Sequence, residues 1–376
     1  MMETKFDLTY LSVDSIQEGV GSSQITPLIL GLAEKGMKVC LITFEKKRPP
    51  KELFELFSTA GVVWIVNEFG KLGTIGGISR LIKLQQIIPN STILHGRSDI
   101  ATAGAILSSV NAPVLWDVRS LWSDQRLLIG TAGWNNLTAR GARTLENLSA
   151  RKSLGMTTLT AAVVPILEQR HGRIPEIRGV IPTCVQTSKF LPSPMPKGQV
   201  TCLLSGTFNN YYDIDRTRQV LETIRKNTDL RVIWARASES PTESLGVGEN
   251  LVISVSHSQM PEIIRESHFG IAICKEDNLD SLAAAVPTKI GEFLASGRPM
   301  IISKGIGDLD QMFESHKTGI VIGHEEDLSG VTEELYSLIN DTETPQRCRE
   351  LAIQQFDMEN SISKYLTIYG RMKVSG

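Results

Sequence analysis

The sequence predicts an α/β protein built from two doubly wound parallel-sheet domains. Three observations predict it. Short, β-branched apolar runs alternate with amphipathic stretches of helical length along the whole chain, the pattern of βαβ units. The runs are continuously apolar rather than alternating, as strands buried on both faces must be. One stretch rich in proline and polar residues, 181–198 (IPTCVQTSKFLPSPMPKG), interrupts a pattern that then restarts. A chain of 376 residues suits two domains of ~100–200 residues. The expected domains are 1–182 and 199–356, with a linker at 183–198.

In the first half, strands are expected at Phe6–Val13, Lys38–Phe44, Val62–Val66, Thr92–Leu94 and Pro113–Trp116. Helices are expected at Gln24–Lys35, Ile78–Ile88 and Ala101–Val110. In the second half, the strand candidates are Val200–Leu204, Leu230–Trp234, Leu251–Val255, Gly270–Cys274, Pro299–Ser303 and Gly319–Ile322. Helical periodicity marks Asp215–Lys226, Lys289–Ser296, Leu328–Ile339 and Pro345–Phe356. Glu359–Tyr369 closes the chain as an amphipathic helix, with Ile362, Tyr365, Leu366 and Tyr369 on one face.

A net charge of −2 argues against a nucleic-acid binder, so any anionic ligand must be gripped locally. The start of the chain has no signal-like apolar core, and no run approaches the ~20 apolar residues of a membrane span. The five scattered cysteines lack metal or disulfide spacing. A cytoplasmic protein without a metal is the expectation.

In open parallel sheets, ligands sit beyond the carboxyl ends of the strands. Four segments there can carry chemistry. After the first strand, Gly19 and Gly21 permit close backbone approach and Ser22 and Ser23 can cap a helix; this is either a plain capped turn or an anion loop. Its spacing is not GxGxxG, which disfavours a nicotinamide dinucleotide. Arg97, Asp117, Arg119, Asp124 and Arg126 crowd two later strand ends, as a functional set or as an internal Asp–Arg network. His95 reads as a core histidine and His257 as a surface or base-stacking one. Ser205, Gly206 and Thr207 form a turn that can hold a diphosphate. The sharpest signal is Val286–Ser303, VPTKIGEFLASGRPMIIS. Here Thr288 is the expected N-cap, and Lys289 and Glu292 lie at the start of the helix. A lysine there is electrostatically misplaced unless an anion joins it. Asp213 with Asp215, and Asp308 with Asp310, imitate a metal-binding DxD but stand where helices begin, and aspartates cap there.

Taken together, SSQITPLILGLAEKGMKVCLITFEK, HGRSD, WDVRSLWSDQR, VIPTCV, PTKIGEFLASGRPMII, GIGDLDQMFESHKTGIVI and FDMENSISKYLTIY resemble the retaining glycosyltransferases of family 4, of the bacterial surface-polysaccharide type. The resemblance implies the GT-B fold, two Rossmann-like domains facing across a cleft, with the final helix 357–376 crossing back onto the first domain. It implies transfer of a sugar from a nucleotide diphosphate sugar, with retention, to a glycan, lipid-linked or small-molecule acceptor, and no metal cofactor. Glu292 takes the place of the donor-ribose glutamate, Lys289 the basic position before it, and Gly19–Gln24 the acceptor-side loop. The chain departs from the family pattern at three places. The first motif glutamate falls on Ala284, for which Glu276 or Asp277 are substitutes. The active-site histidine falls near Asp117–Arg119. The Arg–Lys pair after the first strand of the second domain is missing, leaving its charge to Lys289 or Arg236. On this reading Lys289, Arg119 and Asp117 are catalytic, with Arg97 helping. Thr288, Glu292, Ser205, Gly206, Thr207 and Arg236 bind the donor.

Arg140, Arg143, Arg151 and Lys152 on one helix are either a solvated face or a contact to the inner face of a membrane. The rival functions are a nucleotide-sugar epimerase of the same fold and a non-catalytic nucleotide-sugar-binding member.

Overall fold

The computed structural model describes residues 5–17, 19, 21–128, 134–209, 211–236, 245–276 and 279–375, with backbone alone at 126–128 and 134–137. The chain divides into two compact units, Met1–Pro182 with Met358–Gly376, and Thr183–Asp357.

The sheet of the first unit is formed by β1 (Phe6–Leu11), β2 (Val39–Glu45), β3 (Val63–Glu68), β4 (Ser91–Arg97), β5 (Val114–Val118), β6 (Gly155–Thr158) and β7 (Ile177–Val180). Its order is β3-β2-β1-β4-β5-β6-β7, and every pairing is parallel. The second unit has β8 (Val200–Ser205), β9 (Leu230–Arg236), β10 (Leu251–Ser254), β11 (Phe269–Ala272), β12 (Met300–Ser303) and β13 (Gly319–Ile322). They pair in parallel in the order β10-β9-β8-β11-β12-β13. Both sheets therefore reverse direction once, between β1 and β4 and between β8 and β11. Such a reversal splays the flanking loops apart and leaves a crevice at the carboxyl ends of the strands.

Burial follows the strand character seen in the sequence. β2 is buried at all seven positions and β8 at all six. Cys40, Ile42, Leu84 and Leu94 anchor one core; Leu204, Val220, Phe269 and Ile271 anchor the other. The helix Ile214–Arg225 buries Val220, Leu221 and Ile224. Asp213 caps it by accepting the Arg216 N–H at 2.8 Å, so this half of the apparent DxD motif is spent on the helix.

The last helix, Met358–Ser375, belongs to the first unit and buries Ile362, Tyr365, Ile368, Tyr369 and Met372. It lies so close that a Cβ at Gly31 would collide with Ile362, one at Gly179 with Ile368 and one at Gly155 with Met372. Segment 183–198 is packed on the second unit. Val185 N–H donates to Phe356 O at 2.8 Å, and the buried Arg298 guanidinium donates to Ser193 O and Pro194 O at 2.8 and 3.1 Å.

Some local expectations need correction. β1 ends at Leu11 rather than Val13, because the chain turns into the loop at Ser12. β6, β7 and the helix Lys51–Thr59 were not anticipated. The two strands are four residues each with little apolar character, and the helix buries Phe57 alone. Thr288 is the first helical residue and makes no capping bond; Pro287 occupies the cap position. Ser22 and Ser23 do not cap the following helix either, since they lie in a π-helical turn, Gly21–Ile25, with both hydroxyls donating to Gly19 O.

Candidate active-site residues

In the second unit, the crevice beside β8 and β11 collects the residues singled out from the sequence. β8 ends at the buried Ser205, and Gly206 follows at φ +79°, a turn conformation that costs other residues strain. Gly206 N–H donates to Ala235 O at 2.8 Å, and its carbonyl accepts Trp234 Nε1–H at 3.0 Å. Those two bonds fix the loop that carries the exposed Gly206 and Thr207. At the end of neighbouring β9, the buried Arg236 stacks its guanidinium 4.3 Å from the Trp234 ring centroid.

The helix Thr288–Ala295 starts against this loop. Lys289 is 8% exposed, and its ammonium sits over the Phe208 and Tyr212 rings. It makes no hydrogen bond among the described residues. Burial lowers it from the usual lysine range to about 8. A desolvated cation at a helix N-terminus is costly twice over, through lost hydration and through the dipole. An anion at this position relieves both. Glu292, on the same helix, is 8% exposed and accepts from His257 Nε2 at 3.2 Å, a bond that raises the imidazole above its ordinary value. His257 is therefore a partner of Glu292, a role its lone position in the sequence does not reveal.

Ala284 is buried, and Glu276 is half-exposed on the loop after β11. Asp277 lies outside the described residues, as does Asn210 at the end of the Ser205 loop.

In the first unit, a cavity of about 360 Å³ beyond the carboxyl ends of β1 to β4 is lined by Asp14, Ser15, Gly21, Lys46, Phe69, Leu72 and Arg97. Gly21 is needed sterically, because a Cβ there would collide with the Ser15 carbonyl. Gly19 is exposed at φ +51°. Two residues that sequence reasoning passed over shape this cavity. Glu45, at the end of β2, is buried and accepts from Ser15 Oγ at 2.5 Å, Ile16 N–H at 3.1 Å and Gln17 Nε2 at 2.9 Å. It ties down the loop that Gly21 closes. Arg80 donates to Phe69 O at 2.8 Å and Lys71 O at 3.2 Å and stacks on the Phe69 ring at 4.0 Å. A charged residue on a strand's inner end is the only signal that marks Glu45 beforehand.

Arg97 ends β4, 6% exposed, with Nη1 making no hydrogen bond among the described residues. Ser98 follows at φ +68°, backbone strain of the kind that gathers at working sites. Beside it lies a closed network. Asp117 Oδ2 pairs with Arg119 Nε at 3.0 Å and His95 Nε2 at 3.3 Å, while Oδ1 accepts from Thr157 Oγ1 at 2.9 Å. Burial would raise the Asp117 carboxyl, but Arg119, His95 and Arg97 outweigh it and hold it well below the carboxylate range. His95 is buried, lowered by desolvation, and hydrogen-bonded through Nδ1 to Tyr369 Oη at 2.7 Å. It is a core imidazole whose other nitrogen, Nε2, faces Asp117. Asp117 is 1% exposed and spent on its partners, so it holds Arg119 in place rather than presenting a free carboxylate. Asp124 pairs with Arg143 at 2.8 Å and Arg170 at 2.7 Å, an internal network. The side chain of Arg126 lies outside the description.

No protein-family model matches the chain, and no curated protein sequence does. Solved structures do. The glycosyltransferase from Rickettsia africae ESF-5 superposes with a TM-score of 0.67 at 13% identity, covering 98% of either chain. Anabaena HepE, solved with UDP, gives 0.69 at 13% identity over 97% of this chain and all of that one. WaaG, a glycosyltransferase involved in lipopolysaccharide biosynthesis, gives 0.67 at 13% over 96% and 99%. At such identity the likeness is one of fold: this chain is a two-sheet α/β protein of the GT-B class that these glycosyltransferases share.

Proposed function

We propose that the protein transfers a sugar from a nucleotide diphosphate sugar, the second unit binding the donor and the first the acceptor. One observation carries this reading. Among the described residues Lys289 is a buried ammonium with neither a hydrogen bond nor a salt bridge, at the point in the second sheet where α/β folds bind ligands, beside the glycine turn that carries Ser205 and Thr207. A diphosphate supplies the missing charge. HepE has been solved with UDP and with UDP-glucose, which makes UDP the first nucleotide to try. Glu292 receives the ribose hydroxyls, and the Ser205–Thr207 turn and Arg236 flank the phosphates.

As the bond from the anomeric carbon to the diphosphate breaks, negative charge grows on the leaving oxygen, and Lys289 stabilises it. The acceptor hydroxyl bonds to that carbon and its proton passes to the leaving phosphate. Retention of configuration, a glycan or lipid-linked acceptor, and a place in polysaccharide or glycoconjugate biosynthesis are supported by the motif resemblance. Removing one such stabilising donor lowers kcat about 10²–10³-fold. A folded Lys289→Ala protein that transfers sugar at the parent rate would refute the assignment. Ala284 supports one rival, a member that binds nucleotide sugars without turning them over. Tight UDP-sugar binding with neither transfer nor hydrolysis would decide for it.

We also propose peripheral contact with an anionic membrane through the first unit. Arg140, Arg151 and Lys152 are exposed on the helix Trp134–Lys152, whereas Arg143 is engaged with Asp124 and Glu146. On the helix Gly73–Ile87, Ile75, Ile78 and Ile82 are exposed at helical spacing, flanked by Leu72, Lys71 and Lys83, the composition of an interfacial face. Among the described residues no helix is long and apolar enough to cross a membrane. Co-sedimentation with phosphatidylglycerol vesicles should be lost with Ile78→Ser and Ile82→Ser together. Equal sedimentation of parent and variant, or none by either, ends this part of the proposal.

A further inference from the structure

The setting of Lys289 contains more than a diphosphate contact requires. Its ammonium lies 4.3 Å from the Tyr212 ring centroid and 4.5 Å from that of Phe208, inside the ~6 Å over which a ring face attracts a cation. The two rings are braced. Their centroids are 4.8 Å apart, Phe208 meets the Trp234 ring edge-on at 6.2 Å, and Tyr212 bridges to Cys274 through the backbone. Among the described residues no carboxylate forms a salt bridge with the ammonium, and Glu292 acts on it only through space. The Cys274 thiol is pushed up by burial to about 12 and is uncharged near neutrality. Burial likewise raises the Tyr211 and Tyr212 phenols. Glu292, three residues along the helix, is engaged with His257.

We propose that Phe208 and Tyr212 are positioning residues that cradle the Lys289 ammonium in the donor-free protein and release it to the donor's diphosphate. This rests on the donor-binding reading above and adds two residues to it. Ring faces hold a cation without fixing a hydrogen-bond geometry, so the ammonium stays charged and free to reorient. Two full anionic charges outbid two quadrupoles, and the arriving ligand takes it over.

A proton linkage follows. With Lys289 lowered to about 8 by burial, part of the donor-free protein carries a neutral amine at mildly alkaline pH. A bound diphosphate raises the lysine again, so binding at pH 8–8.5 takes up protons, and affinity falls as pH rises through about 8. Replacing both rings by leucine keeps the surroundings apolar but removes the attraction, which favours the neutral amine further.

The test uses calorimetry with UDP and with inorganic pyrophosphate from pH 6.5 to 9, in two buffers of different ionisation enthalpy. The parent should show proton uptake at pH 8.5. The double variant Phe208→Leu, Tyr212→Leu should bind about three- to tenfold more tightly at pH 6.5, because an attraction present only in the donor-free state is no longer lost on binding, with the advantage vanishing toward pH 9. Lys289→Arg should lose the alkaline decline, since guanidinium stays charged. If neither ligand binds, or both bind Lys289→Ala as tightly as the parent, the donor assignment fails and the cradle falls with it. If Lys289→Ala weakens binding but the leucine variant matches the parent at every pH, the donor assignment stands and the cradle is overturned. A folding defect in the leucine variant is met by NMR on the unaltered protein labelled with ¹³C-lysine. The Lys289 ε-methylene, identified by its loss in Lys289→Arg, should be shifted upfield by the rings and move downfield on saturation with UDP. A resonance at the ordinary lysine position, or one that stays put on saturation, overturns the cradle.

Discussion

Asp99 shows how a single buried carboxyl couples this protein to pH. It accepts the Trp116 indole N–H at 2.9 Å and is pushed up to about 7, by burial first and by the nearby Glu146 second. In the unfolded chain the same group titrates near ~3.9. Between those values the folded state holds a proton that the unfolded state has released, so folding stability falls as pH rises from about 4 to about 7 and is level above that. Asp99→Asn keeps the indole's acceptor without the charge. Its stability advantage over the parent in urea unfolding should grow from pH 5 to pH 7.5; a difference that stays constant over that range would contradict the assignment. Asp117 is shifted the opposite way. Its ion pairs contribute above the ordinary carboxylate range and are lost as pH falls below it.

Among the elements, the terminal helix Met358–Ser375 shows what close approach demands. Gly31, Gly155 and Gly179 leave room for Ile362, Met372 and Ile368. Tyr369 reaches from it to His95, and through that imidazole to Asp117 and Arg119. The helix therefore supports the strand-end network as well as the core. A β-branched residue forced into such a contact costs typically ~1–3 kcal/mol through off-rotamer packing and backbone shifts. Gly179→Val should lower the stability of the purified protein by that amount in denaturant melts, while Gly370→Ala, inside the helix with nothing within 4 Å of its Cβ, should raise it by about 0.5–1 kcal/mol through helix propensity. Equal effects at the two positions would show that proximity to Ile368 does not matter.

For the molecule as a whole, ligand linkage is the most direct test of what it binds. A nucleoside diphosphate at 100 times its Kd should stabilise the folded state by ~2.7 kcal/mol. UDP, ADP and GDP with their sugars, compared by thermal unfolding, should separate into one series that raises Tm and others that do not, and Glu292→Ala should abolish the distinction. Uniform absence of a shift, with Glu292→Ala no different, would count against a nucleotide donor. The two sheets were legible because a strand buried on both faces has to be a continuous apolar run, and runs such as Val39–Phe44 and Met300–Ile302 announce themselves, whereas their strand order was not. β6 and β7 were not, because Gly155-Met-Thr-Thr and Ile177-Arg-Gly-Val take their strand conformation from neighbours already in place.

By itself the sequence determined the α/β class, the restart of the pattern after the proline-rich stretch, and the pairing of a helix start with Lys289 and Glu292. All three are written in local spacing and composition. The partners were decided by tertiary structure. Nothing in the order of residues brings Phe208 and Tyr212 under Lys289, His257 onto Glu292, or Glu45 beneath the Ser15–Gln17 loop. Those contacts join residues roughly thirty to eighty positions apart, and their geometry exists only once parallel strands have set the carboxyl ends of β1 and β2, or of β8 and β11, side by side.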